Sequence, residues 1–176
     1  YYSVDKSERR LQQVAELVGS NSMKDKKNDS VVDEIVAKVK SLEADGYQFE
    51  GADGSFEIMV HKLLGKYKPF FKLHYYLTTG SNPRPEEGVC SCAQIKVEVD
   101  GKMEITAGEG DGPVNALDIA LRKALEKFYP VVSNFRLVDY KVRVLDSKSA
   151  TASKVRVIIE STDGQSSWTT VGVSSD

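Results

Sequence analysis

From Phe70 onward the sequence runs through one order of elements twice, and that repetition restricts the fold more than any other feature. Phe70–Thr78 is rich in aromatic and aliphatic residues. Ile95–Val99 alternates Ile, Val and Val with Lys and Glu, and Met103–Ala107 follows Asp100-Gly101, a two-residue turn of the kind hairpins favour. Val138–Leu145 then sets Val138, Tyr140, Val142 and Val144 against Asp139, Lys141 and Arg143. Lys154–Glu160 follows, and Asp163-Gly164 leads into Ser167–Val173. Laying Asp100-Gly101 on Asp163-Gly164 brings Ile105-Thr106-Ala107-Gly108 within one residue of Thr169-Thr170-Val171-Gly172, the signature of an internal duplication. A three-stranded unit hides its apolar face only beneath a helix, so each copy calls for one.

The stretch Gly108–Tyr129 supplies the first. Gly108, Gly110 and Gly112 give the backbone freedom that other residues lack, and Pro113 suits a first helical position, where its missing N–H costs nothing. Val114, Leu117, Ala120, Leu121, Ala124, Leu125 and Phe128 recur at helical steps, Asp118 and Arg122 form an i,i+4 pair, and Pro130 stops the helix. A glycine-rich loop opening a helix presents unpaired N–H groups and the positive end of the helix dipole to an anion. The same glycines also suit a tight strand-to-helix turn with no ligand. The second helix should begin at about Ser174 to Asp176, where the sequence stops. The second unit is therefore expected to lack its final helix, leaving sheet surface bare and the chain prone to association or looseness.

Three helices are expected ahead of the strands. Val4, Leu11, Val14 and Leu17 predict a short one ending at Gly19, and Ser20–Asp29 reads as a linker. Ser30 is placed to cap a second, with Val31, Ile35, Val39 and Leu42 as its stripe and Gly46 as its end. Asp53 or Ser55 opens a third through Phe56, Met59, Val60 and Leu63 to Gly65. The fold class is α+β: a helical linker over residues 1–66, then a duplicated βββα domain over 67–176, split into 67–130 and 131–176.

The chemistry is sparse. Twenty-four basic against 26 acidic residues, a net charge of -2, leave no basic footprint for nucleic acid, and the helix start at Pro113 lacks the lysines of a double-stranded RNA-binding domain. No apolar run is long enough for a membrane, so a cytoplasmic protein is expected. Cys90 and Cys92 read as reduced thiols at a strand entry, and Trp168 as a core anchor. His61 and His74 stand without a sequence-near partner set, so no metal site and no catalytic residue are assigned. The chain reads as a ligand-binding or partner-binding domain, with a ligand-free dimerisation module as the rival.

Two runs carry a resemblance. Leu42-Glu-Ala-Asp-Gly-Tyr-Gln-Phe-Glu-Gly-Ala-Asp-Gly-Ser-Phe-Glu, and Gly108–Leu125 with Asp139–Leu145 behind it, closely resemble the carboxy-terminal part of citramalate synthases, within the 2-isopropylmalate and homocitrate synthase family. The similarity runs over roughly Val31 to Asp176. It implies a parent acyltransferase whose separate catalytic TIM barrel condenses acetyl-CoA with pyruvate using a divalent metal. No cofactor is implied for this chain, which resembles the linker and the allosteric (LeuA dimer-type) regulatory domain. The resemblance implies a homodimer that works with its own barrel and binds a branched-chain amino acid, isoleucine or alternatively leucine, for feedback inhibition. Its carboxylate is expected at N–H groups around Gly110, Gly112 and Val114, beside Pro113, with Asn115 and Ala116 as wall. Its side chain is expected against Leu137, Tyr140, Val144 and Ala152.

Overall fold

The computed structural model describes residues 26–80, 91–145 and 153–175. The helix expected over Tyr1–Leu17 therefore lies outside the described residues, as do Cys90 and Ala152. Two helices, α1 (Lys26–Ala44) and α2 (Asp53–Leu63), precede three strands, β1 (Lys72–Gly80), β2 (Ser91–Val99) and β3 (Lys102–Gly110). Helix α3 (Pro113–Glu126) and a 3-10 turn over Pro130–Asn134 follow. Then come β4 (Arg136–Val144), β5 (Val155–Thr162) and β6 (Ser167–Ser174). The α+β class and its duplicated sheets are as the sequence indicates, with two antiparallel sheets ordered β1-β2-β3 and β4-β5-β6.

The repeat is tighter than the sequence suggests. Lys72 pairs with Glu98 and Glu98 with Met103; Arg136 pairs with Thr162 and Thr162 with Ser167, each related by 64 residues. The β-bulges match as well, falling between Leu73 and Tyr75 and between Leu137 and Asp139. The Asp-Gly pairs, 63 residues apart, are thus one residue out of structural register. In the first hairpin Asp100 (φ 47) and Gly101 (φ 78) both take positive φ, as a type I′ turn requires. In the second only Gly164 does (φ 88), the sign pattern of II′, and it occupies the place of Asp100. The same shift sets the counterpart of Pro113 at position 177, so Ser174 is still strand rather than helix start.

Contacts divide the chain into two compact units, Lys68–Phe135 in one, residues up to Tyr67 together with Arg136 onward in the other. In the first of these, Ala93, Ile95, Val97 and Val99 alternate inward along the central strand β2 and meet Ala116, Ala120 and Ala124 of α3. Those three alanines are fully buried, so the helix lies close on the sheet, and Thr106 donates to the carbonyl of Ala120 at 2.6 Å. Arg122 binds Asp118 at 2.7 Å, the pair the spacing implies, and also donates to the carbonyl of Phe135.

The other unit is built differently. Ile35, Val39, Phe49, Phe56, Met59 and Val60 of α1, α2 and their connector enclose Val171 of β6. Helix α1 starts at Lys26, so Ser30 lies inside it and is no cap; Lys26–Asp29 joins the helix through backbone bonds that need no apolar stripe. It ends in a Schellman motif, with Tyr47 N–H on the Leu42 carbonyl at 3.0 Å, Gly46 N–H on Glu43 at 3.1 Å, and Gly46 at φ 106. Arg156 of β5 donates to the Gly46 carbonyl at 3.1 Å. Ser55 of α2 serves the outer edge of β6, accepting from Val171 N–H at 2.8 Å. Trp168 is only half-buried, so the core anchor of this unit is Val171 and not the tryptophan.

Candidate functional site

Strand β3 ends at Gly110, and Asp111-Gly112 turns it into α3. None of Gly108, Gly110 and Gly112 has positive φ; Gly112, the N-cap, is extended at φ −162. The glycines are therefore not there for backbone freedom, as the sequence reading has it. A Cβ on Gly108 would lie 2.6 Å from the Ala116 carbonyl oxygen and 2.7 Å from the Ala120 nitrogen, and one on Gly110 would lie 2.8 Å from Ala116 N. These two let the helix sit against the strand. Gly112 has nothing within 4 Å of such a Cβ, so packing does not explain it.

Gly112 leaves the helix start without a side-chain cap. Its carbonyl accepts from Ala116 N–H at 2.9 Å, while the side chain of Asn115 turns back to accept from Asp111 N–H at 3.3 Å. The N–H groups of Val114 and Asn115 lie in the first turn, where no intrahelical acceptor exists, and Pro113 has none to offer. Pro113, Val114 and Asn115 are exposed, whereas Ala116 is fully buried beneath β3. The arrangement can accept a small anion at its open end.

Of the remaining candidates, Leu137, Tyr140 and Val144 lie on β4, in the other compact unit, and Ala152 lies outside the described residues. Leu137, Tyr140 and Val144 pair with Ser161, Ile159 and Val155, and the bulge at Val138 lets Leu137 and Tyr140 share a face despite their odd spacing. They are 36%, 48% and 54% exposed, so an apolar ligand can reach them. The 64-residue shift relates Leu137 to Leu73, Tyr140 to Tyr76, Ile159 to Ile95, Thr170 to Thr106 and Gly172 to Gly108. In the first unit that face is the one α3 covers at β2 and β3, while Leu73 and Tyr76 on β1 stay 46% and 57% exposed beside it.

The histidines prove to be partnered. His61 lies 3.6 Å from Glu57 one helical turn back, and His74, placed by the β1 bulge, reaches Glu98 across the sheet at 2.7 Å. Spacing could have found the first; the second needs the strand register. Asp163 accepts from the N–H groups of Ser166 and Gln165, which holds its carboxyl below the usual aspartate value. Asp139 raises the exposed Lys141 by hydrogen bond and charge. Among the described residues no three of His, Cys, Asp and Glu cluster to hold a metal, and no helix is long and apolar enough to cross a membrane. Cys92 is an exposed free thiol on β2.

Residues 50–176 match the family of LeuA allosteric (dimerisation) domains. The chain is 51% identical over 146 residues to an (R)-citramalate synthase of Geobacter sulfurreducens, covering 83% of this chain and 28% of that protein. Aquifex aeolicus supplies an internal contrast. Its (R)-citramalate synthase is 44% identical (80% of this chain, 26% of that protein), its 2-isopropylmalate synthase 29% (73% and 23%). The chain thus spans roughly a quarter of the length of the curated relatives it matches.

Proposed function

The chain belongs to the family of LeuA allosteric (dimerisation) domains, and from that premise we propose that it is the end-product sensor of a citramalate synthase, binding isoleucine. The observation that carries this reading is the contrast within one organism, 44% identity to the citramalate synthase against 29% to the 2-isopropylmalate synthase. The parent protein in this reading is a cytoplasmic homodimer that condenses acetyl-CoA with pyruvate on a separate metal-dependent barrel, and isoleucine slows it by feedback. The amino acid's carboxylate meets the first-turn N–H groups of Val114 and Asn115, which have no intrahelical acceptor. Its branched side chain meets an apolar surface of the kind Leu137, Tyr140 and Val144 offer.

Burying that side chain is worth roughly 1.5–3 kcal/mol, enough to reject small amino acids but not, without shape, to separate isoleucine from leucine. Inhibition then requires that isoleucine bind two arrangements of the parent unequally, by about 1–3 kcal/mol. Calorimetric titration of the chain with isoleucine, leucine and valine tests the proposal. Heat selective for isoleucine, reduced at least about tenfold in affinity by Tyr140→Ala, is expected. Heat selective for leucine would assign the domain to the leucine-responsive branch; self-association with no heat from any of the three would leave a dimerisation module.

A further inference from the structure

A second recess lies far along the chain from the N-terminus of α3, wholly within the unit formed by α1, α2 and the second sheet. It is a cavity of about 350 Å³, a volume in the range of small-molecule sites. Its walls follow from features already described. The Schellman turn folds Tyr47 back toward Leu42, and Tyr47 stacks on Phe49 with ring centroids 6.1 Å apart. Ile58, Met59 and Lys62 come from one face of α2, and Val171 of β6 completes the lining.

Three properties define what fits. The interior is apolar. None of the lining residues is acidic, while two are lysines, Lys38 and Lys62. Lys62 is held with its ammonium 4.8 Å from the ring centroid of Tyr67, and Lys38 has no ion-pair partner among the described residues. The hydroxyl of Ser55 is already committed to Val171. The exposed Ile58, 41% accessible on the lip, extends the apolar surface outward.

We propose that this recess binds a small monocarboxylate with an apolar tail of a few carbons and no α-ammonium group. The tail enters between Phe49, Met59 and Val171, and the carboxylate stays at the mouth beside Lys38 and Lys62. An amino acid is disfavoured, because its ammonium would stand next to two like charges with no carboxylate to receive it. The site is therefore separate in chemistry from the isoleucine site proposed above, and neither proposal depends on the other.

Methyl-detected NMR titration of the whole chain with hexanoate, 2-aminohexanoate and hexylammonium is the test. Saturable shifts at the Ile58 and Met59 methyls are expected with hexanoate, with affinity at least about tenfold lower for the other two, a difference of about 1.4 kcal/mol. Lys38→Gln with Lys62→Gln should weaken hexanoate about fivefold while leaving hexylammonium no weaker. Ile58→Glu, an exposed substitution that leaves the core alone, should abolish hexanoate binding. Equal affinity for the three probes, shifts centred elsewhere, or hexanoate binding that survives both variants would overturn the proposal. Isoleucine should leave these methyls unmoved whether or not it binds at Tyr140.

Discussion

Gly108 and Gly112 stand in one glycine-rich run and are there for different reasons. A methyl on Gly108 would meet backbone of α3 at 2.6 and 2.7 Å, and backbone cannot swing aside as a side chain can. Gly108→Ala should therefore cost about 1–3 kcal/mol, read as a lowered denaturation midpoint at unchanged m-value. Gly112→Ser meets open space in an extended conformation that suits an N-cap hydroxyl, and should gain a few tenths of a kcal/mol. If the N–H groups there receive a carboxylate, the same substitution should weaken isoleucine, because the serine oxygen competes for the same donors. Asp163 gives a pH prediction. Its carboxyl is held low by the N–H groups of Ser166 and Gln165, so its contribution is present above the ordinary aspartate value. That contribution disappears as pH falls through the lower folded value. The amide resonances of Gln165 and Ser166 should move together in that acid window and stop moving in Asp163→Asn. At this scale the sequence shows the glycines and the aspartate, but not their reasons: close approach depends on a helix lying on a strand, which periodicity does not contain.

Elements were more legible than residues. Alternation of period two placed the strands to within a few residues, because β2 needs Ala93, Ile95, Val97 and Val99 on one side whatever surrounds it. The start of α1 was not legible, since Lys26–Asp29 carries no apolar stripe and reads as linker. What sequence could not show is how strand edges are finished. In the first sheet Lys123 of α3 donates to the Ala107 carbonyl at 3.1 Å; at the matching position of the second, Ser55 of α2 serves Val171. A helix that precedes the repeat thus guards an edge the repeat leaves open. Ser55→Ala should cost about 1 kcal/mol and speed hydrogen exchange at Val171 without altering β2. All nine residues of β4 are exposed, so its amides should exchange well before those of β2.

At the scale of the molecule the two sheets are the same object in different surroundings. The face of the first sheet that α3 covers is repeated in the second by Leu137, Tyr140, Ile159, Thr170 and Gly172, and β4 shows Val138, Val142 and Val144 at 54–57% exposure beside them. Exposed apolar area of this kind marks a contact surface. The chain should self-associate in sedimentation experiments at tens of micromolar, and Val142→Lys should shift it toward monomer; a wild-type monomer across that range would contradict the reading. The candidate residues fall into two sets, Gly110–Ala116 in one compact unit and Leu137–Val144 in the other, and spacing in the sequence shows which residues each set offers but not what they bind.

The hydrogen bond from Val171 to Ser55 joins residues 116 positions apart, with a whole compact unit inserted between them. On a ribosome that separation becomes time. Helices α1 and α2 emerge before their partner strand has been made, and at about 5–20 residues per second they wait on the order of ten seconds for β6. Meanwhile Lys68–Phe135 has every contact of its own core and can fold first. Once folded, it holds the two flanking segments at a fixed span, which shortens the loop that must close. Helices α1 and α2, made before the inserted unit, thus settle after it, and their apolar stripe of Ile35, Val39, Phe56 and Val60 is the surface a chaperone would meet in the interval.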